Sequence, residues 1–342
     1  MPKVGSQITL CNMPVRMDTY KGCSHGCKYC FTYRKYNISN IKPFEGAIAL
    51  KSFINGKRTP ETSWCDWNIP IHWGGMSDPF QPAEKIHKRS LECLKVLAET
   101  QYPFIVSTKA LLPTQEPYYS LFKKCNFVFQ VSMLCDEYDK LEQGAPTFRE
   151  RLKMLEMMAK YAKRVIPRAQ PYILEHHDKI MGVLKEYKKA GVYGVIFESI
   201  KMQIKTKGLI RDGNDFIYPL SVLKPKFLEL RDECHKHDLK FLSGENRLRR
   251  MGDSLTCCGT EGLEGFTPNL ANLNQFLYDK KSFKYTEAMK KEGTAFVFQA
   301  MKQSSDTQKL LNKLSYKEVM EKVCKDRRMV KSMLDTEEEK DG

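Results

Sequence analysis

Seven short apolar runs alternate with helix-like stretches over the first 245 residues, and this alternation narrows the fold more than any other feature. The runs are 15–20, 69–74, 104–107, 127–132, 165–172, 192–198 and 239–243. They are rich in Val, Ile, Phe and Tyr and flanked by turn-forming or polar residues, as strands are. Between them, apolar residues recur at helical spacing. In 82–100, Ile86, Ser90, Leu94 and Leu97 fall along one face. In 147–163, Thr147 and Glu150 fit a capping box, each side chain satisfying an amide at the other's position. The stripe behind it is Phe148, Leu152, Leu155 and Ala159. A helix over 179–190 ends at Gly191, and one over 225–237 opens on Pro225, where the missing N–H costs little. The pattern predicts an α/β protein of parallel β/α units, a partial or full TIM-like (β/α) barrel. Chemistry is then expected at the carboxyl ends of the strands. The expected organisation is a barrel over 1–245, a Gly- and Cys-containing loop at the barrel mouth over 246–269, and a helical extension over 270–342 with a frayed acidic tail.

Charge bears on partners. The chain carries 56 Lys plus Arg against 41 Asp plus Glu, a formal net charge of +15. Such an excess favours an anionic partner, nucleic acid being the usual one, although a merely basic soluble protein is the alternative. The opening MPKVGSQITLCNMPVRMD has no apolar core of the kind a secretory signal needs. No run approaches the roughly 18 apolar residues of a membrane span. A cytoplasmic protein with no membrane partner is expected.

The 12 cysteines are irregularly spaced, unlike a disulfide framework, and suggest a reducing compartment. Three of them crowd into GCSHGCKYCF (22–31), at Cys23, Cys27 and Cys30. The spacing C-x3-C-x2-C puts three thiolates on one tight loop, where Gly22 and Gly26 allow backbone angles that a Cβ resists. Structural zinc normally takes four protein ligands. Three thiolates with no obvious fourth suit an iron–sulfur cube with one iron left open, while zinc stays as the alternative.

Cys23-Ser-His-Gly-Cys27-Lys-Tyr29-Cys30 resembles the signature of the radical S-adenosylmethionine superfamily, Tyr29 included. Within it, WGGMSDPFQPAE (73–84), STK (107–109), VSM (131–133) and LEQGAPTFRERL (141–152) resemble the spore photoproduct lyase-like branch, over about residues 10–200. The resemblance implies a β/α barrel in which Cys23, Cys27 and Cys30 bind three irons of a 4Fe-4S cluster and S-adenosylmethionine chelates the fourth. It implies cofactor contacts from Tyr29, Ser77, Asp78, Lys109 and Ser132, with Gly74 and Gly75 letting the cofactor's backbone approach. It also implies reductive cleavage to a 5′-deoxyadenosyl radical, fed by an external flavodoxin- or ferredoxin-like electron donor.

The match has gaps. Gly75 stands where the lyase has a hydrogen-returning cysteine, and Phe31 where it has a tyrosine. The same relay is therefore not expected. Cys257 and Cys258, in SGENRLRRMGDSLTCCGTEG (243–262), are the candidate replacement donors, with Cys135 a third. A second cluster and an inert loop are the alternatives for the pair. Cys93 is expected in the core. Cys234, His235 and His237 do not converge on a helix, where neighbours point about 100° apart. Arg168 and Glu198 fall on expected inner strands as active-site candidates, since charges inside a barrel need partners or a ligand. Glu245, Asn246, Arg247, Arg249 and Arg250 could grip a phosphate backbone. The leading expectation is a radical enzyme repairing or modifying a nucleic-acid base. Its alternatives are radical modification of a protein, peptide or metabolite, and a non-catalytic cluster-bearing nucleic-acid-binding module.

Overall fold

Successive residues of a strand point to opposite faces, so an uninterrupted apolar run needs apolar cover on both. The computed structural model, which describes residues 2–5, 7–32, 40–296, 309–327 and 330, supplies that cover. Its strands are β1 (Lys3–Val4), β2 (Val15–Met17), β3 (Tyr20–Lys21), β4 (Lys42–Pro43), β5 (Ile71–Trp73), β6 (Phe104–Thr108), β7 (Phe127–Ser132), β8 (Arg164–Tyr172), β9 (Gly194–Ser199), β10 (Ile210–Asp212), β11 (Asp215–Ile217) and β12 (Lys240–Ser243). The helices used below are α1 (Ala47–Ile54), α2 (Glu84–His87), α3 (Arg89–Thr100), α4 (Tyr118–Phe122), α5 (Phe148–Met158), α6 (His177–Lys189), α7 (Leu220–Lys236), α8 (Leu273–Tyr278) and α9 (Tyr316–Lys325).

Eight strands make one sheet in the order β1-β2-β5-β6-β7-β8-β9-β12. Every pair is parallel except the antiparallel β1–β2 edge. The sheet does not close from β12 back to β1, so the barrel is partial. Outward residues such as Phe127, Phe129 and Val131 join the large core under the helices. Inward residues Ile105, Val128, Ile166, Ile196 and Leu242 form a second, smaller core with Met13, Cys258 and Phe266. This inner cluster is the floor of the barrel.

Three local expectations are corrected. The stretch 82–100 is two helices, because Lys88 adopts φ +54° between α2 and α3. The break turns Ile86 out to solvent, 78% exposed, while Ser90, Leu94 and Leu97 stay buried. It also lets Glu84 turn back on α3: its carboxylate accepts from the amides of Ser90 (2.9 Å) and Leu91 (2.8 Å). The helix expected from Pro225 begins five residues earlier, so Pro225 lies inside α7. Burial of Leu223 and Phe227 holds the helix across the missing donor.

The third correction concerns 246–269, which is not confined to the mouth. Only 246–251 lies beyond the carboxyl end of β12. The chain then turns back, with the Asp253 amide on the Phe241 carbonyl at 2.9 Å. It descends through the barrel. Arg164, at the start of β8, donates to the carbonyls of Gly259 and Glu261, both at 2.8 Å. The Asn269 amide reaches the Asn12 carbonyl at 2.7 Å, and the Leu273 amide the Thr9 carbonyl at 2.7 Å. This segment bridges the gap that the open sheet leaves. Beyond it, α9 docks through Tyr316, whose ring stacks on Trp64 at 5.5 Å and whose hydroxyl donates to the Ala271 carbonyl. The expected acidic tail lies outside the described residues.

Glu84 ties several elements together, since Tyr20 and Tyr118 also donate their hydroxyls to it. Glu84→Ala would strand four buried donors. It should cost roughly 3–5 kcal/mol in a urea-unfolding measurement, the scale of breaking a buried charged hub.

Candidate functional site

The cysteine loop follows β3 at the carboxyl face. Gly22 and Gly26 take φ +86° and +60°, as the tight path requires. Two neighbouring segments hold the loop. From the β5 side, Gln81, fully buried, accepts from the Ser24 amide at 3.0 Å and donates to the Gly22 carbonyl at 2.9 Å. From the β7 side, the Lys28 amide bonds the Leu141 carbonyl (2.9 Å) and the Gly144 amide bonds the His25 carbonyl (3.0 Å). A Cβ on Gly144 would sit 2.6 Å from the His25 carbonyl oxygen, so glycine is required there by close approach.

His25 joins the two holds. Its Nδ1 donates to the Gly144 carbonyl at 2.9 Å, and its Nε2 faces Asp78 Oδ2 at 3.1 Å. Burial alone would depress the imidazole, but Asp78 raises it above its ordinary value. Burial would likewise raise Asp78, yet His25 and the donors around it hold the carboxyl below the usual range. Those donors are the Phe80 amide and Thr108 hydroxyl on Oδ1, and the Lys109 amide and His25 on Oδ2. All four lone-pair directions of the carboxylate are taken. Asp78 thus holds the loop to the strand ends through His25.

Tyr29, Lys109 and Ser132 are brought together by a residue the sequence reading did not single out. The buried Glu142 accepts from Tyr29 and pairs with Lys109 Nζ at 3.0 Å and with Arg151. The Ser132 carbonyl accepts from Arg151 Nη1 at 2.6 Å and from Lys109 Nζ at 3.4 Å. Lys109 also lies 5.6 Å from the centre of the Tyr29 ring. Burial would push Glu142 up, but Lys109 and Arg151 hold it low. On the other side, Ser77 donates to the Tyr20 carbonyl at 2.6 Å. Gly74 is needed against β6, since its Cβ would meet the Ser107 carbonyl oxygen at 2.4 Å. Gly75 is exposed, and a Cβ there would make ordinary contact with Arg16 Cδ at 3.8 Å.

The chemistry of the loop fits an iron–sulfur cluster. Its three cysteines are free and partly buried, and burial pushes the thiols of Cys23 and Cys27 up to about 12 and about 11. A metal must displace those protons to bind. Among the described residues no three His, Cys, Asp or Glu side chains already converge on one point. Phe31, at the end of the loop, is 46% exposed.

Below the strand ends lies a polar layer. Arg16 Nη1 contacts His72 Nδ1, His72 Nε2 bonds Ser107 Oγ at 2.8 Å, and Ser107 donates to Gln130 Oε1 at 3.0 Å. Arg168 donates to the same Gln130 oxygen at 2.9 Å and to Gln170 at 2.5 Å. Gln130 Nε2 donates to the Cys258 carbonyl at 3.1 Å. Cys257 and Cys258 therefore stand inside the barrel and not at its rim. The hydrogen bond from Cys258 draws Cys257 well below the usual thiol range against burial, helped by Arg249 and Arg168. The same bond and burial push Cys258 well up. The shared hydrogen bond thus sets the two thiols apart, Cys257 shifted down and Cys258 up. Cys11 lies near them, its sulfur 3.5 Å from Arg16 Nη2.

Other candidates fall elsewhere. Cys135 is buried in the outer core under the helices, which separates it from the lumen and corrects its reading as a donor. Cys93 is core, as expected. Cys234 is buried, while His235 turns to Asp253 and His237 to Glu233. Glu198 pairs with Lys201 at 3.0 Å. Arg247 bonds Glu245 and the Tyr218 carbonyl, both at 3.0 Å, and Arg249 turns inward, so these residues do not present one surface grip.

No family model matches the chain. An uncharacterized protein of Mycobacterium tuberculosis is 22% identical over 209 residues, covering 56% of this chain, as is one of Mycobacterium bovis. The chain spans 60% of the length of these curated relatives. Among solved structures, a tyrosine-to-phenylalanine variant of spore photoproduct lyase superposes with TM-score 0.52 at 15% identity, over 66% of this chain and 74% of the other. Streptococcus suis SuiB bound to S-adenosylmethionine gives 0.49 at 12% identity, over 68% and 51%. The chain has the partial-barrel fold of spore photoproduct lyase, a radical S-adenosylmethionine enzyme.

His72 gives a test of the layer. Burial, then Arg16 and Arg168, hold its imidazole well below the ordinary 6.5. The unfolded chain therefore takes up a proton below about pH 6.5 that the folded chain refuses. The stability is full above that pH and declines as pH falls toward the folded value. His72→Gln should flatten the decline between about pH 6.5 and 5 by up to roughly 1.4 kcal/mol per pH unit, measured by urea unfolding at each pH.

Proposed function

We propose that this chain is a radical S-adenosylmethionine enzyme acting on a nucleic-acid base, by repair or modification. The observation that carries the reading is the clamped three-cysteine loop, set beside Tyr29, Lys109 and Ser132 on the shared fold. Cys23, Cys27 and Cys30 would hold a 4Fe-4S cluster. Lys109, Ser77 and Ser132 would orient S-adenosylmethionine beside the loop, with the exposed Gly75 at its edge. Bound there, the cluster and cofactor supply a 5′-deoxyadenosyl radical when an external flavodoxin- or ferredoxin-like protein delivers one electron.

The chain's own residues do the rest. Glu142 and Arg151 fix Lys109 and Tyr29, and His25, Asp78 and Gln81 fix the loop. Cys258 is the hydrogen-atom donor in this reading, because burial and its hydrogen bond to Cys257 push its thiol well up. The net charge of +15 supports a nucleic-acid substrate over an uncharged one. No helix among the described residues is long and apolar enough to cross a membrane. A cytoplasmic setting is part of the proposal.

Anaerobic iron–sulfur reconstitution should load about four irons per chain and, with reductant and S-adenosylmethionine, release 5′-deoxyadenosine. Cys27→Ala should abolish both, and an unaffected variant would sink the enzyme reading. With nucleic acid present, Cys258→Ala should uncouple cofactor cleavage from product by at least about tenfold, a loss of roughly 1.4 kcal/mol or more. Unchanged coupling in both Cys258→Ala and Cys257→Ala would remove the donor proposal. Binding that does not weaken with salt would favour a peptide or metabolite substrate.

A further inference from the structure

Between Asp18 and Glu45 the chain has no Asp or Glu, while it has Lys21, Lys28, Arg34, Lys35 and Lys42. This stretch carries the three-cysteine loop. Exposed lysines continue around the loop on the segments that hold it. Lys28 stands on the loop itself. Lys42 lies in β4, paired with the β3 strand that leads into the loop. Lys85 is on α2, whose His87 ring lies 6.5 Å from that of Tyr20 in β3. Lys140 precedes Leu141, whose carbonyl accepts from the Lys28 amide. Among the described residues, none of Lys28, Lys42, Lys85 and Lys140 has a carboxylate partner. The carboxylates nearby are withdrawn from this face. Asp78, Glu84 and Glu142 are buried. Glu45 pairs with Arg89 at 3.2 Å, Asp136 with Arg149 at 2.7 Å and Asp139 with Arg151 at 3.3 Å. Phe31, Phe44 and Ile86 lie close to these lysines in sequence and are exposed large apolar side chains.

We propose that the outward side of the cysteine loop, ringed by Lys28, Lys42, Lys85 and Lys140, is the docking surface of a protein electron carrier with an anionic surface. A surface of one sign steers a partner of the opposite sign. The inference rests on the radical-enzyme reading above, which requires an electron, and adds where that electron enters. The loop has two sides. Tyr29 turns in to Glu142, whereas its neighbour Lys28 is exposed. A carrier on the outward side thus approaches the cysteines and leaves the Tyr29 side, with Lys109 and Ser132, to the cofactor. It gives up one electron to the cluster and is itself oxidised, and no bond is made or broken. Two observations favour a protein over a nucleic acid here. The described cations around the loop that lack a carboxylate are lysines, point charges that steer an encounter without locking it. Arg89, whose planar fork would suit phosphate, is held by Glu45 and Glu92. Exposed Phe44 and Ile86 suit the apolar centre of a protein interface. Electron-transfer encounters use small interfaces, which a few lysines around a modest apolar area match.

The test reads binding first. Reconstituted protein is titrated calorimetrically with oxidised flavodoxin and, separately, with an oxidised ferredoxin, both acidic carriers. At least one should bind, and more weakly as salt rises. Lys42→Glu, Lys85→Glu and Lys140→Glu, made together, should lower that affinity at least about tenfold, because they reverse the charges that steer the encounter. A control triple variant, Lys124→Glu, Lys163→Glu and Lys240→Glu, makes the same change in net charge at the amino ends of β7, β8 and β12. It should bind the carriers as the wild type does. Both variants are checked for iron content and, by circular dichroism, for an intact fold. With dithionite in place of a carrier, both should release 5′-deoxyadenosine at the wild-type rate. With the reduced carrier, only the first should be slowed. If neither carrier binds the wild type, or if the two triple variants bind the carriers alike, the proposal fails. If the first variant loses affinity for single-stranded oligothymidylate and keeps its affinity for the carriers, the face belongs to nucleic acid and the proposal fails. Absence of 5′-deoxyadenosine with dithionite counts against the enzyme reading alone, since carrier binding is measured without turnover.

Discussion

The His25–Asp78 ion pair, 3.1 Å long and closed to solvent on both sides, joins the cysteine loop to the sheet. Its strength comes from what surrounds it. Asp78 has no lone pair to spare, and both ring nitrogens of His25 face acceptors. A charge pair in a low-dielectric setting is costly unless every remaining hydrogen-bonding group is satisfied. Here that condition is met by backbone amides from β5's connection, by β6 and by the turn at Gly144. The loop, the strand ends and the pocket between them are thereby fixed to one another.

From that joint the site is built in two tiers. The upper tier contains Tyr29, Lys109, Ser132, Glu142 and Arg151, a compact group in which one buried carboxylate orders two cations. The lower tier contains Arg16, His72, Ser107, Gln130 and Arg168, linked strand to strand by side-chain bonds. Beneath both lies the apolar floor around Ile105, Val128 and Leu242. The returning segment brings Cys257 and Cys258 in between floor and lower tier. In the upper tier Glu142 pairs with both Lys109 and Arg151, while the arginines of the lower tier are bonded to neutral side chains.

The strands were legible in the sequence because a strand buried on both faces is a dense apolar run, and β7 was recovered over its whole length. The break at Lys88 was not, since a residue with φ above zero leaves no mark when it is not glycine. The cysteine loop was legible from spacing. Its supports were visible only as a family-like string of letters. SDPFQP reads as a motif, but nothing local says that Asp78 and Gln81 serve the loop some 55 residues earlier. Glu142 had a usable signal, an acid next to Gln143 and Gly144 just ahead of a capped helix, which is too common to single out. Cys135 misled because proximity to a strand end does not reveal which face a side chain takes, and its thiol turned to the helices.

The sequence by itself determined the alternation of strands and helices, the three-thiol loop and the excess of basic residues, because these are properties of neighbours along the chain. Only the tertiary structure decided which charges meet. It drew the 252–269 segment back down through an open sheet, set Cys257 and Cys258 beneath Arg168, and turned Arg249 inward where a surface grip was expected. The physical reason is the gap in the partial barrel. A sheet that does not close exposes its floor and its inner polar groups, and a later part of the chain must fill that opening.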